Sequence, residues 1–354
     1  MTAMETFNSL EIKNITRETP QAVSLCFEVP QDLKKDYNFI AGQYLTLEAE
    51  IDGNPLRRDY SISASPQSGD LAVTVKEIEK GLFSTFANRT LKKGDFISVA
   101  TPKGRFTYDP IKNQSKTIVA FAAGSGITPI MSILRTVLEE SKNQKCILIY
   151  GNKSPEKTIF YQSLLKLQSA HKDRLELQLV FSNSHEIGAD YGRIDKAYTR
   201  SAINTVLDSQ KPATYYLCGP EGMIRNVKEV LISHNVPESN ILFELFTASE
   251  SIKTETIAYS SGTIEATFLF DDEKEVISMD NDTTILEAAL AKDLEVPYSC
   301  QGGVCSSCIC RITKGAAVMR QNSVLTESEV AEGLVLSCQA VPTSATIHID
   351  FDDI

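Results

Sequence analysis

The chain has 354 residues, 42% of them hydrophobic and 23% charged, with a formal net charge of −11. It is too long for one ordinary core and implies two or three domains of a globular protein. No apolar run reaches the roughly 18 residues a membrane span needs, and the N-terminus MTAMETFNSLEIKN lacks the basic and apolar regions of a signal peptide. A cytoplasmic location is therefore expected, and the acidic balance gives no sign of a nucleic-acid partner.

The acidity is uneven. From residue 263 onward sixteen Asp and Glu stand against five Lys and Arg, while residues 1–262 carry thirty of each. The C-terminal segment reads as a separate module whose partner presents a basic face; the plainer reading is that the acidity only aids solubility.

The first hundred or so residues read as antiparallel β. Leu45, Leu47, Ala49 and Ile51 alternate with Thr46, Glu48 and Glu50, and Asp52, Gly53, Asn54 and Pro55 supply turn chemistry before the extended run RRDYSISAS. LAVTVKEI and DFISVATP continue the pattern, so a small β-barrel over residues 1–110 is the economical fold. On it, Arg58, Asp59, Tyr60 and Ser61 place a guanidinium, an aromatic ring and a hydroxyl close together, as anchoring and stacking a flavin requires. Taken alone, RDYS reads more readily as an ordinary strand. Val75 and Lys76 end the strand VTVK, and Gly81, Phe83, Ser84 and Thr85 then form a Gly–Ser turn opening a helix, a ready phosphate site.

From Lys116 the texture changes. TIVAFAA has the continuous apolar run of a strand buried on both faces, GSGITP interrupts it, and IMSILRTVLEE repeats apolar residues at helical spacing. CILIYGN, FYQSLLKLQSA, ELQLVFSN, a further helical stretch, TYYLCGP and IRNVKEVLISH repeat the alternation. Residues 111–248 therefore read as a parallel, doubly wound α/β domain. Between its first strand and helix, Gly124 and Gly126 bring backbone close to a ligand, with Thr128 placed to cap the helix and Pro129 to occupy its first position. The segment departs from the GxGxxG fingerprint, and no acidic residue ends the following strand.

Residues 249–262, polar and rich in Ser and Thr, read as a linker. In 263–354, TIEATFLF and EVISMD form two strands joined at Asp271 and Asp272, Thr284 and Glu287 have capping-box spacing at a helix start, and ATIHIDF ends the chain as a strand. Between them lies PYSCQGGVCSSCIC. The spacing Cys300, four residues, Cys305, two residues, Cys308, with Cys338 far downstream, is the arrangement of plant-type 2Fe–2S ferredoxins. Gly302 and Gly303 let the loop wrap so that N–H groups point at sulfur. A reducing compartment argues against disulfides. Zinc also accepts four cysteines, but its structural sites usually come as two short C-x2-C pairs. The four histidines, His171, His185, His234 and His348, all lie more than ten residues from the stretch 297–310. Cys310 reads as an inward-facing residue of the next strand.

VPYSCQGGVCSSC with the later LSCQA resembles the β-grasp ferredoxin domain. RDYS followed by GLFS resembles the flavin domain of the ferredoxin–NADP reductase superfamily. GSGITP, Tyr150-Gly151-Asn152 and Cys218-Gly219-Pro220 resemble its nicotinamide domain. The resemblance spans essentially the whole chain and, with MRQNSVLTESEVAEGLVLSCQA and the terminal IDFDD, is nearest to reductases serving bacterial oxygenases, such as the phenylacetyl-CoA epoxygenase branch. It implies FAD rather than FMN, a 2Fe–2S cluster on Cys300, Cys305, Cys308 and Cys338, and NADPH or NADH. It places Cys218 beside the nicotinamide at the hydride-transfer site with Tyr60 and Ser61, and Glu244 and Phe246 over the flavin. Ser182, after the third strand of the α/β domain, stands where relatives that select a 2′-phosphate often present an arginine; Arg193 or Lys153 could substitute.

Such an order of modules implies electron transfer from NAD(P)H through flavin and cluster to an external protein, because a flavin accepts two electrons and releases them singly. An oxygenase or hydroxylase component, of phenylacetyl-CoA or other aromatic degradation, is the expected acceptor. A desaturase or another di-iron or Rieske hydroxylase is the alternative. Readings from other classes are a zinc-stabilised regulatory protein and a redox sensor.

Overall fold

The structure is a computed structural model that describes residues 6–208, 212–246, 263–271, 273–294 and 296–354. The chain divides into a larger compact unit, Asn8–Leu245, and a smaller one that takes the C-terminal part from Phe246. The expected linker at 249–262 and the turn residue Asp272 lie outside the described residues.

The larger unit begins with six strands: β1 (Phe7–Thr19), β2 (Ala22–Glu28), β3 (Tyr44–Ile51), β4 (Asn54–Ser61), β5 (Leu71–Lys76) and β6 (Phe96–Ala100). They form one sheet in the order β4-β3-β6-β1-β2-β5, and an antiparallel bridge from Ile62, just past β4, to Val73 in β5 joins its two edges. That closure removes exposed edges and encloses Leu10, Leu25, Leu45, Leu47, Val73 and Val99, all fully buried. The β3–β4 turn is tighter than the sequence suggests. Asp52 and Gly53 alone take positive φ (55° and 77°), and Asn54 already pairs with Ile51. A two-residue turn of this kind matches the twist of its strands, so Asn54 and Pro55 belong to β4. The expected alternation of burial along β3 also fails at its start, where Tyr44 and Thr46 are as buried as Leu45 and Leu47. Thr46 tolerates burial because its hydroxyl donates to Asp59 at 2.7 Å. One helix, α1 (Leu82–Arg89), follows β5.

The second half of this unit alternates strand and helix: β7 (Thr117–Ala123), α2 (Ile127–Glu140), β8 (Cys146–Asn152), α3 (Tyr161–Ala170), β9 (Leu175–Phe181), β10 (Asp190–Tyr191), α4 (Lys196–Asp208), β11 (Ala213–Cys218), α5 (Glu221–Ser233) and β12 (Ile241–Glu244). All neighbours in the order β10-β9-β8-β7-β11-β12 pair in parallel. The strand order reverses between β7 and β11, so the loops after these two strands flank the crevice where such sheets bind ligands. The barrel keeps a core of its own, while Phe106 and Tyr108, past β6, cluster with Ile130, Leu134 and Tyr216 in the core of the α/β half.

The smaller unit contains β13 (Thr263–Phe270), β14 (Glu273–Asp280), α6 (Ile285–Leu290), β15 (Ile309–Lys314), β16 (Ala317–Met319), α7 (Glu327–Ala331), β17 (Leu334–Leu336), β18 (Ala340–Pro342) and β19 (Thr346–Asp350). Its main sheet, β14-β13-β19-β15-β17, is mixed, with β13 and β19 parallel and the other pairs antiparallel. Helix α6 packs Ile285, Leu286 and Ala289 into the core with Ile347 and Ile349, the arrangement of a β-grasp. The Thr284–Glu287 capping box is present, and a second, Thr326–Glu329, starts α7. No helix among the described residues is long and apolar enough to cross a membrane.

Candidate functional site

The RDYS segment ends β4, where pairing with β3 fixes it: Leu45 lies opposite Tyr60 and Tyr44 opposite Ser61. Tyr60 stacks obliquely on buried Phe83 of α1, ring centroids 5.6 Å apart, so the two residues form one aromatic surface. Arg58 is exposed and donates to the Arg57 carbonyl at 2.6 Å, leaving other guanidinium donors for an anion. In the turn before α1, Ser84 Oγ accepts from Ile78 N at 3.2 Å and donates to Gly81 O at 3.3 Å. Its hydroxyl thus shapes the loop, while Thr85 is half-buried on the same turn. The Val75 side chain lies in the barrel core, which leaves only its main chain for any cofactor.

Ser61 also reaches the other half of the unit, where its hydroxyl donates to Glu244 Oε2 at 3.2 Å. Glu244 ends β12 in register with Cys218 at the end of β11. Burial pushes the Glu244 carboxyl up to about 8 against the pull of Ser61, with Asp59 adding to the rise. Burial, helped by Glu244, raises the fully buried Cys218 thiol well above its usual value and keeps it protonated. Phe246 is exposed.

At the crevice, Gly124–Gly126 form a 3₁₀ turn that runs directly into α2. The helix is capped by Gly126 without a side-chain bond; Thr128 and Pro129 lie inside its first turn, and Thr128 Oγ1 donates back to Ser125 O at 3.1 Å. The expected cap at Thr128 is therefore one turn element too late, because the 3₁₀ turn starts the helical path earlier. The two glycines differ in role. A Cβ on Gly126 would lie 2.1 Å from the Cys218 carbonyl oxygen, so Gly126 serves helix–strand contact. Gly124, at φ 56°, faces a cavity of about 890 Å³.

Gly151, Asn152, Ser182 and Pro220 line this cavity, and Gly219 lies against Ala123, which lines it too. Arg58–Ser61 do not. Asn152 Nδ2 itself is buried, without a hydrogen-bond partner. Lys76, Lys153, Lys157 and Arg193 stand on the wall against Glu77, Glu79 and Asp195, and Glu77 is engaged by Arg89. Burial and the charges of Lys153 and Lys157 lower the Lys76 pKa, so an arriving phosphate would relieve repulsion. Lys76 thus lines this cavity, to which Arg58–Ser61 do not contribute. Thr19, Pro20 and Gln21 of the β1–β2 turn also line the cavity, and no local pattern in the sequence marks them.

In the smaller unit the four cysteines stand as two thiol pairs, Cys300 with Cys305 and Cys308 with Cys338. Among the described residues, no third thiol, carboxylate or histidine completes a pair into a three-donor set. Two separate pairs suit a cluster of two irons, each taking two thiolates. The Cys305 thiol and the N–H groups of Gly302, Val304 and Cys305 bring Cys300 down to about 6, overriding burial. Cys338 is lowered by Cys308, with Gly303 N–H and Gln339 contributing, whereas Cys308 is raised by Cys338 and by burial. Gly302 N donates to Cys300 Sγ at 3.3 Å, and Gln339 Nε2 to Gln301 O at 3.0 Å. The left-handed positions are Gln301 (φ 53°) and Gly303 (φ 71°), not Gly302. Cys310 is buried in β15, as expected of a core residue.

The chain matches a model of the oxidoreductase FAD-binding domain over residues 9–108, the oxidoreductase NAD-binding domain over 121–229 and the 2Fe-2S iron-sulfur cluster binding domain over 269–343. It is 36% identical over 352 residues to one of the subunits of the 1,2-phenylacetyl-CoA epoxidase of Escherichia coli (strain K12), covering 99% of each chain. The chain belongs to this family of FAD-, NAD- and 2Fe–2S-binding reductases. It is also 29% identical to the ferredoxin reductase component of 3-ketosteroid-9-alpha-monooxygenase from Rhodococcus rhodochrous, over 97% of this chain and 96% of that one. In fold it resembles phthalate dioxygenase reductase, with a TM-score of 0.60 and 23% identity over 97% and 98% of the two chains. It is similar too to the corresponding part of a self-sufficient cytochrome P450 monooxygenase, with a TM-score of 0.71 and 18% identity over 97% of this chain and 41% of that one. As a family member the protein is an oxidoreductase whose cofactors are FAD, a nicotinamide nucleotide and a 2Fe–2S cluster.

Proposed function

We propose that this reductase draws electrons from NADPH and delivers them to an oxygenase or hydroxylase component, with modules at 1–110 for FAD, 111–248 for the nucleotide and 263–354 for the cluster. The flavin, when bound, supplies the change from a two-electron donor to a one-electron acceptor. The remaining work belongs to the protein. Arg58 anchors the flavin's phosphates, Tyr60 backed by Phe83 stacks its ring system, and Ser61 with Glu244 holds a buried proton beside Cys218. The neutral Cys218 thiol offers an uncharged wall to the nicotinamide. Gly124 and the start of α2 receive the nucleotide phosphates.

The single observation that carries this reading is the cavity at the strand-order reversal, where Gly124, Asn152 and an excess of cations line one space. Lys153, Lys157 and Arg193 favour NADPH over NADH by offering charge-assisted bonds to a 2′-phosphate. The oxygenase systems of the relatives support an oxygenase as acceptor, and the −11 charge of residues 263–354 supports a basic docking face on it; we place both in the cytoplasm. Reconstitution tests the reading: purified protein with FAD, cluster and NADPH should reduce a purified oxygenase component faster than with NADH. Equal rates with both nucleotides would remove the NADPH assignment, and no transfer to any oxygenase component would remove the acceptor class.

A further inference from the structure

Four buried side-chain polar atoms in the described residues have no hydrogen-bond partner: Asn152 Nδ2, Thr214 Oγ1, Ser299 Oγ and Ser337 Oγ. Two of them immediately precede cluster cysteines, one for each thiol pair: Ser299 before Cys300 and Ser337 before Cys338. Ser299 is 1% exposed and Ser337 0%, so bulk water does not reach either hydroxyl. Buried hydroxyls are normally paired, and an orphan calls for an explanation. The neighbouring serines of the cysteine loop, Ser306 and Ser307, do have interactions, so the loop is not generally deprived of acceptors.

The backbone holds Ser337 at the site. Its N–H donates to the Cys308 carbonyl at 2.9 Å, and its carbonyl accepts from Leu286 N in the first turn of α6 at 3.0 Å. Residue 337 is therefore clamped between one ligand loop and a capped helix, next to both cysteines of the second pair. A 2Fe–2S cluster held by these cysteines would bring sulfur acceptors, its sulfides and their thiolates, into this surrounding.

We infer that the Ser299 and Ser337 hydroxyls donate hydrogen bonds to sulfur of the bound cluster and raise its reduction potential. This rests on the ligand assignment of Cys300, Cys305, Cys308 and Cys338. The sign follows from charge: the reduced cluster carries one more negative charge than the oxidised one, and a donor stabilises the more negative state more. The two hydroxyls thereby make the cluster a better acceptor of the electron leaving the flavin.

The test uses the full chain with its cluster, as wild type, Ser299→Ala, Ser337→Ala and the double variant, in a mediated redox titration followed by electron paramagnetic resonance. Each alanine variant should shift toward the oxidised form, up to about tenfold in the ratio of the two states at fixed potential, or 59 mV for one electron. The double variant should shift further, and Ser299→Thr, which keeps the hydroxyl, should return to the wild-type value. An exchangeable-deuteron coupling to the reduced cluster, seen in D₂O, should weaken in the alanine variants. A purely structural serine would change thermal stability without moving either signal. A double variant with full cluster content and wild-type potential overturns the inference. Should Ser337→Ala fail to assemble, Ser299→Ala carries the same two outcomes. A wild-type chain that takes up no 2Fe–2S cluster overturns the ligand assignment itself and the inference with it.

Discussion

Ser61 Oγ donates to Glu244 Oε2 across 3.2 Å, joining the last residue of β4 in the barrel to the last residue of β12 in the α/β sheet. The Glu244 carboxyl, held near 8 mainly by burial, keeps in the folded state a proton that the unfolded chain releases near 4.5. Stability from this group is complete below about pH 4.5 and falls as pH rises toward 8. Glu244→Gln should flatten that slope and raise stability at pH 9 by about 1 kcal/mol or more, because no buried charge then remains. Thermal melts of both proteins at pH 5, 7 and 9 check this, and parallel pH profiles would refute it.

Cys305→Ser removes one thiolate of the first pair. The variant should lose the iron–sulfur absorption and reduction of cytochrome c, while NADPH still bleaches the flavin. If one-electron transfer survives with an intact cluster, Cys305 is not a ligand.

Removing cations from the nucleotide cavity should separate the two coenzymes. Lys153→Ala combined with Arg193→Ala should raise KM for NADPH about 10- to 100-fold, the range of one or two charge-assisted hydrogen bonds, and leave KM for NADH within a few-fold. Steady-state kinetics with both coenzymes at two salt concentrations makes the comparison. Equal losses for both would assign these residues to the shared diphosphate.

Gly126 and Gly222 give opposite expectations for the same change. A Cβ at 126 meets the Cys218 carbonyl at 2.1 Å, whereas one at 222, within α5, meets nothing within 4 Å. Gly126→Ala should destabilise the larger unit by about 3 kcal/mol or more, and Gly222→Ala should stabilise it by about 0.5–1 kcal/mol. Denaturant unfolding of the two variants reads both.

Local features were legible wherever a short pattern carried its own physics. The Thr284–Glu287 cap, the apolar run of β7 and the buried place of Cys310 needed no tertiary information. The same cue, unread, marks α7 at Thr326–Glu329. What depended on distant contacts was not legible. Gly126 looked like a ligand glycine because its clash is with Cys218, 92 residues later. Lys76 looked like part of the flavin segment because only the folded unit brings it to Gly124, Lys153 and Lys157. The two-residue β10, Asp190–Tyr191, is too short to show a period.

The central claim is that nicotinamide, FAD and one 2Fe–2S cluster form a single electron path in this chain. Anaerobic titration of the purified holoprotein with NADPH, followed by visible absorption, tests it most directly. Two electrons for FAD and one for the cluster predict that both chromophores bleach fully at about 1.5 equivalents of NADPH. Bleaching of the flavin at about 1 equivalent with the iron–sulfur absorption unchanged, or a colourless protein containing zinc, would contradict it.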